Sequence, residues 1–106
     1  MKIRIDEKSI ELRYAKTFFN RLKGFMFKKN INYALCFPMC NSVHTIFMLK
    51  HIDIVMTDKN YNVLYVFKDV KPYRIILPKK NVYYTFEFPV NIFNFDNTKK
   101  IKITKK

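Results

Sequence analysis

Short runs of alternating apolar and polar residues occupy most of this sequence, and they constrain the fold more than any other feature. A period of two places successive side chains on opposite faces of a strand, and short strands at close spacing favour an antiparallel barrel or sandwich. The first two runs predict a hairpin that turns at Glu7 and Lys8. The predicted strands cover residues 2–6, 9–14, 34–37, 43–48, 52–57, 63–67, 74–77, 82–88 and 100–104.

One short helix is predicted near the N-terminus, at residues 18–23. Thr17 can cap it, Phe18 and Leu22 lie four apart on one face, and Gly24 follows as a stop signal. A chain of 106 residues, of which 49% are hydrophobic, is long enough to bury one core. We therefore expect a single domain over residues 1–106 that is mainly β (β-rich α+β), a small antiparallel barrel or sandwich with one short helix near the N-terminus.

The composition excludes several classes of protein. A single glycine, Gly24, leaves no glycine-rich loop that could bring backbone amides close to a nucleotide. No stretch approaches the ~20 apolar residues that span a bilayer, and no apolar leader follows the N-terminus, so we expect a cytoplasmic protein without a membrane span. Cys36 and Cys40 lie too close together to close a long loop and are expected to be thiols.

The net charge of +13 suggests nucleic acid as a partner. Most of the basic residues are lysines, whereas bidentate recognition of phosphate or guanine favours arginine. Lysine is accompanied by many Asn, Ile, Phe and Tyr residues, a bias that an AT-rich genome would produce in any protein. Nucleic-acid binding is therefore the alternative hypothesis, and its candidate stacking residues are five tyrosines that we expect to be exposed: Tyr61, Tyr65, Tyr73, Tyr83 and Tyr84.

Two further alternatives involve the cysteines. Cys36, Cys40 and His44 are spaced four apart, which on a helix would align three zinc ligands, but the neighbouring Pro38 and the β-type runs argue against a helix. Cys40 and His44 could also act as nucleophile and base, although the sequence places no third residue to orient the histidine. We therefore predict no metal, no cofactor and no catalytic residue.

Polar side chains that interrupt the apolar pattern are the candidate site residues. Asp53 stands out because Ile52, Ile54 and Met56 alternate around it and Val55 shares its face. A buried carboxylate needs partners, so Asp53 is expected to accept hydrogen bonds from Arg21, His44 or a backbone amide, in a structural network or in a small ligand pocket. The full candidate set is Arg21, Cys40, His44, Thr45, Asp53 and Glu87.

A set of residues follows a characteristic order along nearly the whole chain: Ala15, Thr17, Arg21, Gly24 and Met26, then Cys40, Ser42, Val43, His44, Thr45 and Met48, then Ile52, Asp53, Asp58, Pro72, Glu87, Phe88 and Pro89. This order resembles the bacterial and archaeal family called domain of unknown function 192. The resemblance implies a small, mainly β domain with a short helix near its start, and no established enzymatic activity. The chain departs from the family at two turns, where Asn91 and the pair Lys59 and Asn60 replace glycine.

We accordingly expect a non-enzymatic binding or accessory module with a small polar pocket around His44 and Asp53. Its partner would be an unknown ligand or protein, and the sequence specifies no oligomeric state. The alternatives are a nucleic-acid-binding β barrel and a small metal- or thiol-dependent enzyme.

Overall fold

The regular structure consists of one large and one small β-sheet. The computed structural model describes residues 1–17 and 24–104, and within these residues the mainly β prediction is confirmed. The strands are β1 (Lys2–Ile5), β2 (Lys8–Tyr14), β3 (Tyr33–Pro38), β4 (Val43–His44), β5 (Ile52–Thr57), β6 (Val63–Val70), β7 (Ile75–Ile76), β8 (Tyr84–Pro89) and β9 (Lys102–Thr104).

The large sheet has seven strands in the order β6-β5-β8-β3-β2-β1-β9 and curls into a half-barrel. Its edge strands approach each other at one end, where Asn62 and Lys100 form an antiparallel bridge. The neighbouring strands are antiparallel except β2 and β3, which run parallel. The prediction of an antiparallel sheet is wrong at this pair, because two neighbouring parallel strands cannot be joined by a hairpin turn and need a longer connection.

The predicted strands differ from the observed ones mainly at their ends. The prediction for 52–57 matches β5. The predicted strand 43–48 stops at His44, because Thr45 leaves the strand and bonds to the segment that contains Arg74. The predicted strand 82–88 begins only at Tyr84, so Val82 packs with a different cluster from Phe86 and Phe88.

The described residues contain no helix. The helix predicted at 18–23 lies outside them, as does Arg21, and both stay predictions. Gly24, which was predicted to follow that helix, has a left-handed φ of +47°. None of the described residues forms a helix that could cross a membrane.

Two hydrophobic clusters cover the two faces of the large sheet. Alternation along each strand separates them: in β3, Ala34 and Cys36 belong to one cluster, and Leu35 and Phe37 belong to the other. The inner cluster fills the half-barrel with Ile3, Ile5, Leu12, Ala34, Cys36, Val55, Phe86, Phe88, Phe93, Phe95 and Ile101. The outer cluster consists of Ala15, Phe25, Leu35, Phe37, Met48, Ile52, Ile54, Met56 and Ile76.

Three chain segments, 24–28, 42–49 and 71–78, form an outer layer over the outer cluster. The first two join through a bridge between Met26 and Met48 and through the Phe27 N–H, which donates to the Phe47 carbonyl at 3.0 Å. The second and third join as the small sheet of β4 and β7. The outer layer carries two of the predicted site residues, His44 and Thr45.

Candidate functional site

The structure distributes the predicted site residues that it describes over three separate environments. Cys40, His44 and Thr45 lie in or beside the outer layer. Glu87 lies beneath that layer, since its register partners Leu35 and Ile54 belong to the outer cluster. Asp53 faces the inner cluster, because its register partner is Phe88. The predicted pocket shared by His44 and Asp53 is therefore not formed by these two side chains.

Thr45 joins two segments of the outer layer. Its buried hydroxyl donates to the Lys71 carbonyl at 2.8 Å and accepts a hydrogen bond from the Arg74 N–H at 2.8 Å. Its backbone N–H donates to the Arg74 carbonyl, and its carbonyl accepts from the Tyr73 N–H at 2.9 Å. Thr45 thus fixes the positions of Tyr73 and Arg74 at the protein surface.

Thr45→Val is expected to lower the free energy of unfolding by about 1–3 kcal/mol. Valine has the same shape but leaves the Arg74 N–H and the Lys71 carbonyl without the hydroxyl. Urea denaturation of both proteins measures the difference. Thr45→Ser, which keeps the hydroxyl, should retain most of the stability, and an equal loss in both variants would contradict this role.

His44 and Cys40 bond to different backbone groups rather than to each other. The His44 Nδ1 accepts a hydrogen bond from the Ile46 N–H at 3.2 Å, and the Cys40 thiol donates to the Ser42 carbonyl at 3.1 Å. The His44 side chain lines a groove of about 300 Å³, which we call the His44 groove. Its lining residues are Ser42, Val43, His44, Ile46, Ile75, Ile76, Leu77 and Pro78.

The described part of the chain contains no group of three His, Cys, Asp or Glu residues arranged to hold a metal ion. Cys36 belongs to the inner cluster, whereas Cys40 packs against the outer cluster. Burial raises the pKa of the Cys36 thiol to about 12. This thiol stays protonated at neutral pH and behaves as a small apolar core residue.

Glu87 is a buried acid in apolar surroundings. Its side chain is 1% exposed, and its Oε1 has no hydrogen-bond partner among the described residues. A Cβ on Gly24 would come within 3.3 Å of this oxygen, so the outer layer lies directly against it. Burial raises the pKa of the Glu87 carboxyl to about 8, which leaves it mostly protonated at neutral pH.

Asp53 is fully buried and has three partners among the described residues. Its Oδ1 accepts a hydrogen bond from the Asp69 N–H at 2.8 Å, and its Oδ2 accepts one from the Asn91 N–H at 3.2 Å. The Lys68 ammonium lies 3.2 Å from Oδ2. Asp69 and Asn91 have left-handed φ angles of 55° and 62°. The carboxylate therefore connects two tight turns that are distant in sequence.

The outer layer presents a group of three exposed aromatic rings that the sequence did not single out together. Phe27 is 65% exposed, Phe47 46% and Tyr73 61%. Phe27 stacks on Phe47 at 5.5 Å between ring centroids, and Tyr73 meets Phe47 edge-on at 5.8 Å. We call Phe27, Phe47 and Tyr73 the aromatic triad. The sequence does not predict the aromatic triad, since Phe47 falls within a run that indicates a strand.

All three residues of the aromatic triad have left-handed backbone conformations. Their φ angles are 61° for Phe27, 62° for Phe47 and 62° for Tyr73. Bulky side chains rarely adopt this region, because the Cβ atom crowds the following carbonyl oxygen. Strained residues of this kind tend to cluster at binding sites. The left-handed backbone is thus conformationally unfavourable at three positions, and the burial of these side chains compensates for little of that free energy.

The tyrosines that were predicted to stack on bases do not form one surface. Tyr61 and Tyr84 stack on each other at 4.8 Å and pack against the inner cluster, which corrects the prediction that both are exposed. Tyr65 lies beside Phe67 on β6, and Tyr73 belongs to the aromatic triad.

The two predicted turn substitutions have different outcomes. Asn91 adopts a left-handed conformation, as expected for a replaced turn glycine. In the turn 58–62, the left-handed residue is Tyr61, not Lys59 or Asn60.

Comparison with known proteins agrees with this architecture. The fold and the outer layer define a class of small β-rich half-barrel domains in which an apolar layer covers one face of the sheet. The chain belongs to the family of domain of unknown function 192 (DUF192, "Uncharacterized ACR"), whose profile matches residues 1–102. The resemblance inferred from the sequence motifs is therefore confirmed.

The archaeal relatives are UPF0127 proteins. The Thermococcus sibiricus protein is 35% identical over 92 residues, which are 81% of this chain and 59% of that protein. The Pyrococcus horikoshii protein PH1112 is 41% identical over 85 residues, which are 74% of this chain and 72% of that protein. The chain thus spans less than two thirds of the length of the Thermococcus sibiricus relative.

Two solved structures share the fold. A Novosphingobium aromaticivorans protein of unknown function superimposes with a TM-score of 0.80 at 14% identity, over 96% of this chain and 84% of that protein. A proposed transcription regulator from Sinorhizobium meliloti superimposes with a TM-score of 0.69 at 12% identity, over 78% of this chain and 70% of that protein. At these identities the similarity concerns the fold alone.

Proposed function

We propose that this chain is a non-enzymatic binding module whose binding surface is the aromatic triad together with the adjacent His44 groove. The observation that carries the proposal is the left-handed backbone at Phe27, Phe47 and Tyr73, which holds three large rings out towards solvent. Contiguous exposed apolar patches mark interaction sites more often than inert surface. Ile75 and Leu77, also exposed, extend the patch along the groove.

The charge of the outer layer supports an acidic partner. Segments 24–52 and 70–86, which include the whole outer layer, contain seven lysine or arginine residues and neither aspartate nor glutamate. Lys71 and Arg74 are exposed on either side of Tyr73. A second copy of the chain would bring another net charge of +13 to the surface, so electrostatic repulsion disfavours self-association.

The ring geometry favours an apolar protein segment over a nucleic acid. Base stacking requires free ring faces, whereas Phe47 is covered on one side by Phe27 and meets Tyr73 at an interplanar angle of 75°. The aliphatic side chains of Ile75 and Leu77 offer no stacking face. We therefore infer a partner protein with an acidic segment that carries phenylalanine or leucine side chains.

A labelled synthetic peptide in which glutamate alternates with phenylalanine and leucine is the probe for this surface. Phe47→Gly should weaken its binding at least about tenfold, because the central ring of the triad is lost. Glycine adopts the left-handed conformation without steric cost, so this variant is expected to fold as stably as the parent within about 1 kcal/mol. Fluorescence anisotropy measures the affinity.

Two controls make the result specific. Leu64→Ser removes an exposed apolar side chain on β6 and should leave the affinity unchanged. A labelled oligothymidylate tests the nucleic-acid alternative. The proposal would be contradicted if Phe47→Gly and Leu64→Ser lost the same affinity for the peptide. It would also be contradicted if the protein bound the oligothymidylate but not the peptide.

A further inference from the structure

A second cavity lies apart from the aromatic triad and the His44 groove and shares no residue with either. It has a volume of about 260 Å³ and is lined by cationic side chains and by apolar ones. We call it the cationic pocket. Its lining residues are Lys29, Ile31, Lys50, His51, Pro89, Val90 and Ile92.

The two lysines of the cationic pocket are not neutralised within the described structure. Lys29 and Lys50 are exposed and form no ion pair with the described residues. Asp69, which bonds to the His51 ring, is the acidic residue in contact with the lining. The other nearby carboxylate, Asp53, is already paired with Lys68. An anionic group in the pocket would therefore meet an excess of positive charge.

His51 is held in a fixed orientation. Its Nδ1 lies 2.7 Å from the Asp69 Oδ1, with the side chain 43% exposed. A carboxylate that engages one ring nitrogen fixes the imidazole and leaves the other nitrogen for a ligand. The Nε2 atom of His51 is thus the ring nitrogen available to a molecule in the cavity.

Asp53 positions two parts of this pocket at once. One carboxylate oxygen accepts the hydrogen bond from the Asp69 N–H, and the other accepts the one from the Asn91 N–H. Asp69 orients His51, and Asn91 lies between the lining residues Val90 and Ile92. The buried carboxylate therefore holds the pocket in shape before any ligand arrives, which lowers the entropic cost of binding.

We propose that the cationic pocket binds a small organic anion, with its phosphate or carboxylate group at Lys29, Lys50 and His51 and a compact apolar group against Ile31, Val90 and Ile92. The volume suits a ligand smaller than a nucleotide or a drug-sized molecule. Asp53 acts as a positioning residue for this site. The proposal is independent of the peptide-binding surface, so each can fail without the other.

Phenyl phosphate is the probe, and calorimetric titration measures its affinity beside that of inorganic phosphate. The parent protein should bind phenyl phosphate saturably and more tightly than inorganic phosphate, since only the former places a ring against the apolar wall. The double variant Lys29→Gln/Lys50→Gln should bind it at least about tenfold more weakly. Both side chains are exposed, so the fold of this variant should stay intact.

The matched control is Lys80→Gln/Lys99→Gln, which removes the same charge from exposed positions outside the pocket. It should keep the affinity of the parent. Equal weakening in both double variants would mean that net charge alone attracts the anion, and would overturn the proposal. So would the absence of saturable binding, or equal affinities for phenyl phosphate and inorganic phosphate.

Discussion

Glu87→Gln is expected to make the stability of the protein nearly independent of pH between about 5 and about 8. The parent protein should lose stability as the pH rises through this range. The folded-state pKa of Glu87 is raised to about 8, from an ordinary value of 4.5, because burial disfavours its charged form. Between these values the unfolded chain releases the proton while the folded chain keeps it. The free energy of unfolding therefore falls as the pH rises through this window, by about 3 to 5 kcal/mol for a shift of this size.

Urea denaturation at a series of pH values tests this expectation. The informative quantity is the difference in pH dependence between the parent and the variant. Glutamine places an amide where the Glu87 Oε1 has no partner among the described residues, so Glu87→Met, which suits the neighbouring Leu35 and Ile54, serves as a second variant without a titrating group. If the free energy of unfolding showed the same pH dependence in the parent and the variants, the pKa of Glu87 would not be raised in the folded protein.

Asp53→Asn is expected to destabilise the protein by about 2–4 kcal/mol. The amide nitrogen of asparagine would face a backbone N–H, either that of Asp69 or that of Asn91, and two donors cannot bond to each other. The Lys68 ammonium would also lose its charged partner. Thermal and urea denaturation give the change in the free energy of unfolding.

Asp58→Asn is the matched control for Asp53→Asn. Asp58 also accepts hydrogen bonds from two backbone N–H groups, those of Asn60 and Asn62, but it does so in a solvent-accessible turn. Water can replace these partners, so the control should lose much less stability. A variant of Asp53 that is as stable as the Asp58 control would refute the structural role of this carboxylate.

The sequence predicted the strands and buried positions that depend on local periodicity. The strand 52–57 was predicted correctly because Ile52, Ile54 and Met56 alternate with residues of the opposite face. The same alternation identified Asp53 as a buried polar residue, and one of its expected partner types, a backbone amide, is present. Of the other two expected partners, Arg21 lies outside the described residues, and His44 bonds elsewhere, since it lies in a layer on the opposite face of the sheet.

The features that the sequence did not predict depend on contacts between distant segments. The run 43–48 alternates like a strand, yet the hydrogen bonds of Thr45 to residues 71–74 turn the chain and leave Phe47 exposed. Left-handed φ angles are predicted from glycine or asparagine, so their occurrence at Phe27 and Phe47 gives no local signal. Glu87 was predicted only as a polar residue that interrupts the apolar pattern, whereas the lack of a partner for its Oε1 among the described residues depends on its neighbours Leu35 and Ile54 in adjacent strands.

The central claim is that the outer layer presents a binding surface for an acidic, apolar protein segment. The most direct measurement is an NMR titration of the ¹⁵N-labelled protein with the glutamate, phenylalanine and leucine peptide. The account predicts that the largest shifts of the amide signals lie at Phe27, at 44–47 and at 73–77, and that these shifts are lost in Phe47→Gly. Shifts spread over the lysine-bearing surface, or centred on β6, would contradict it.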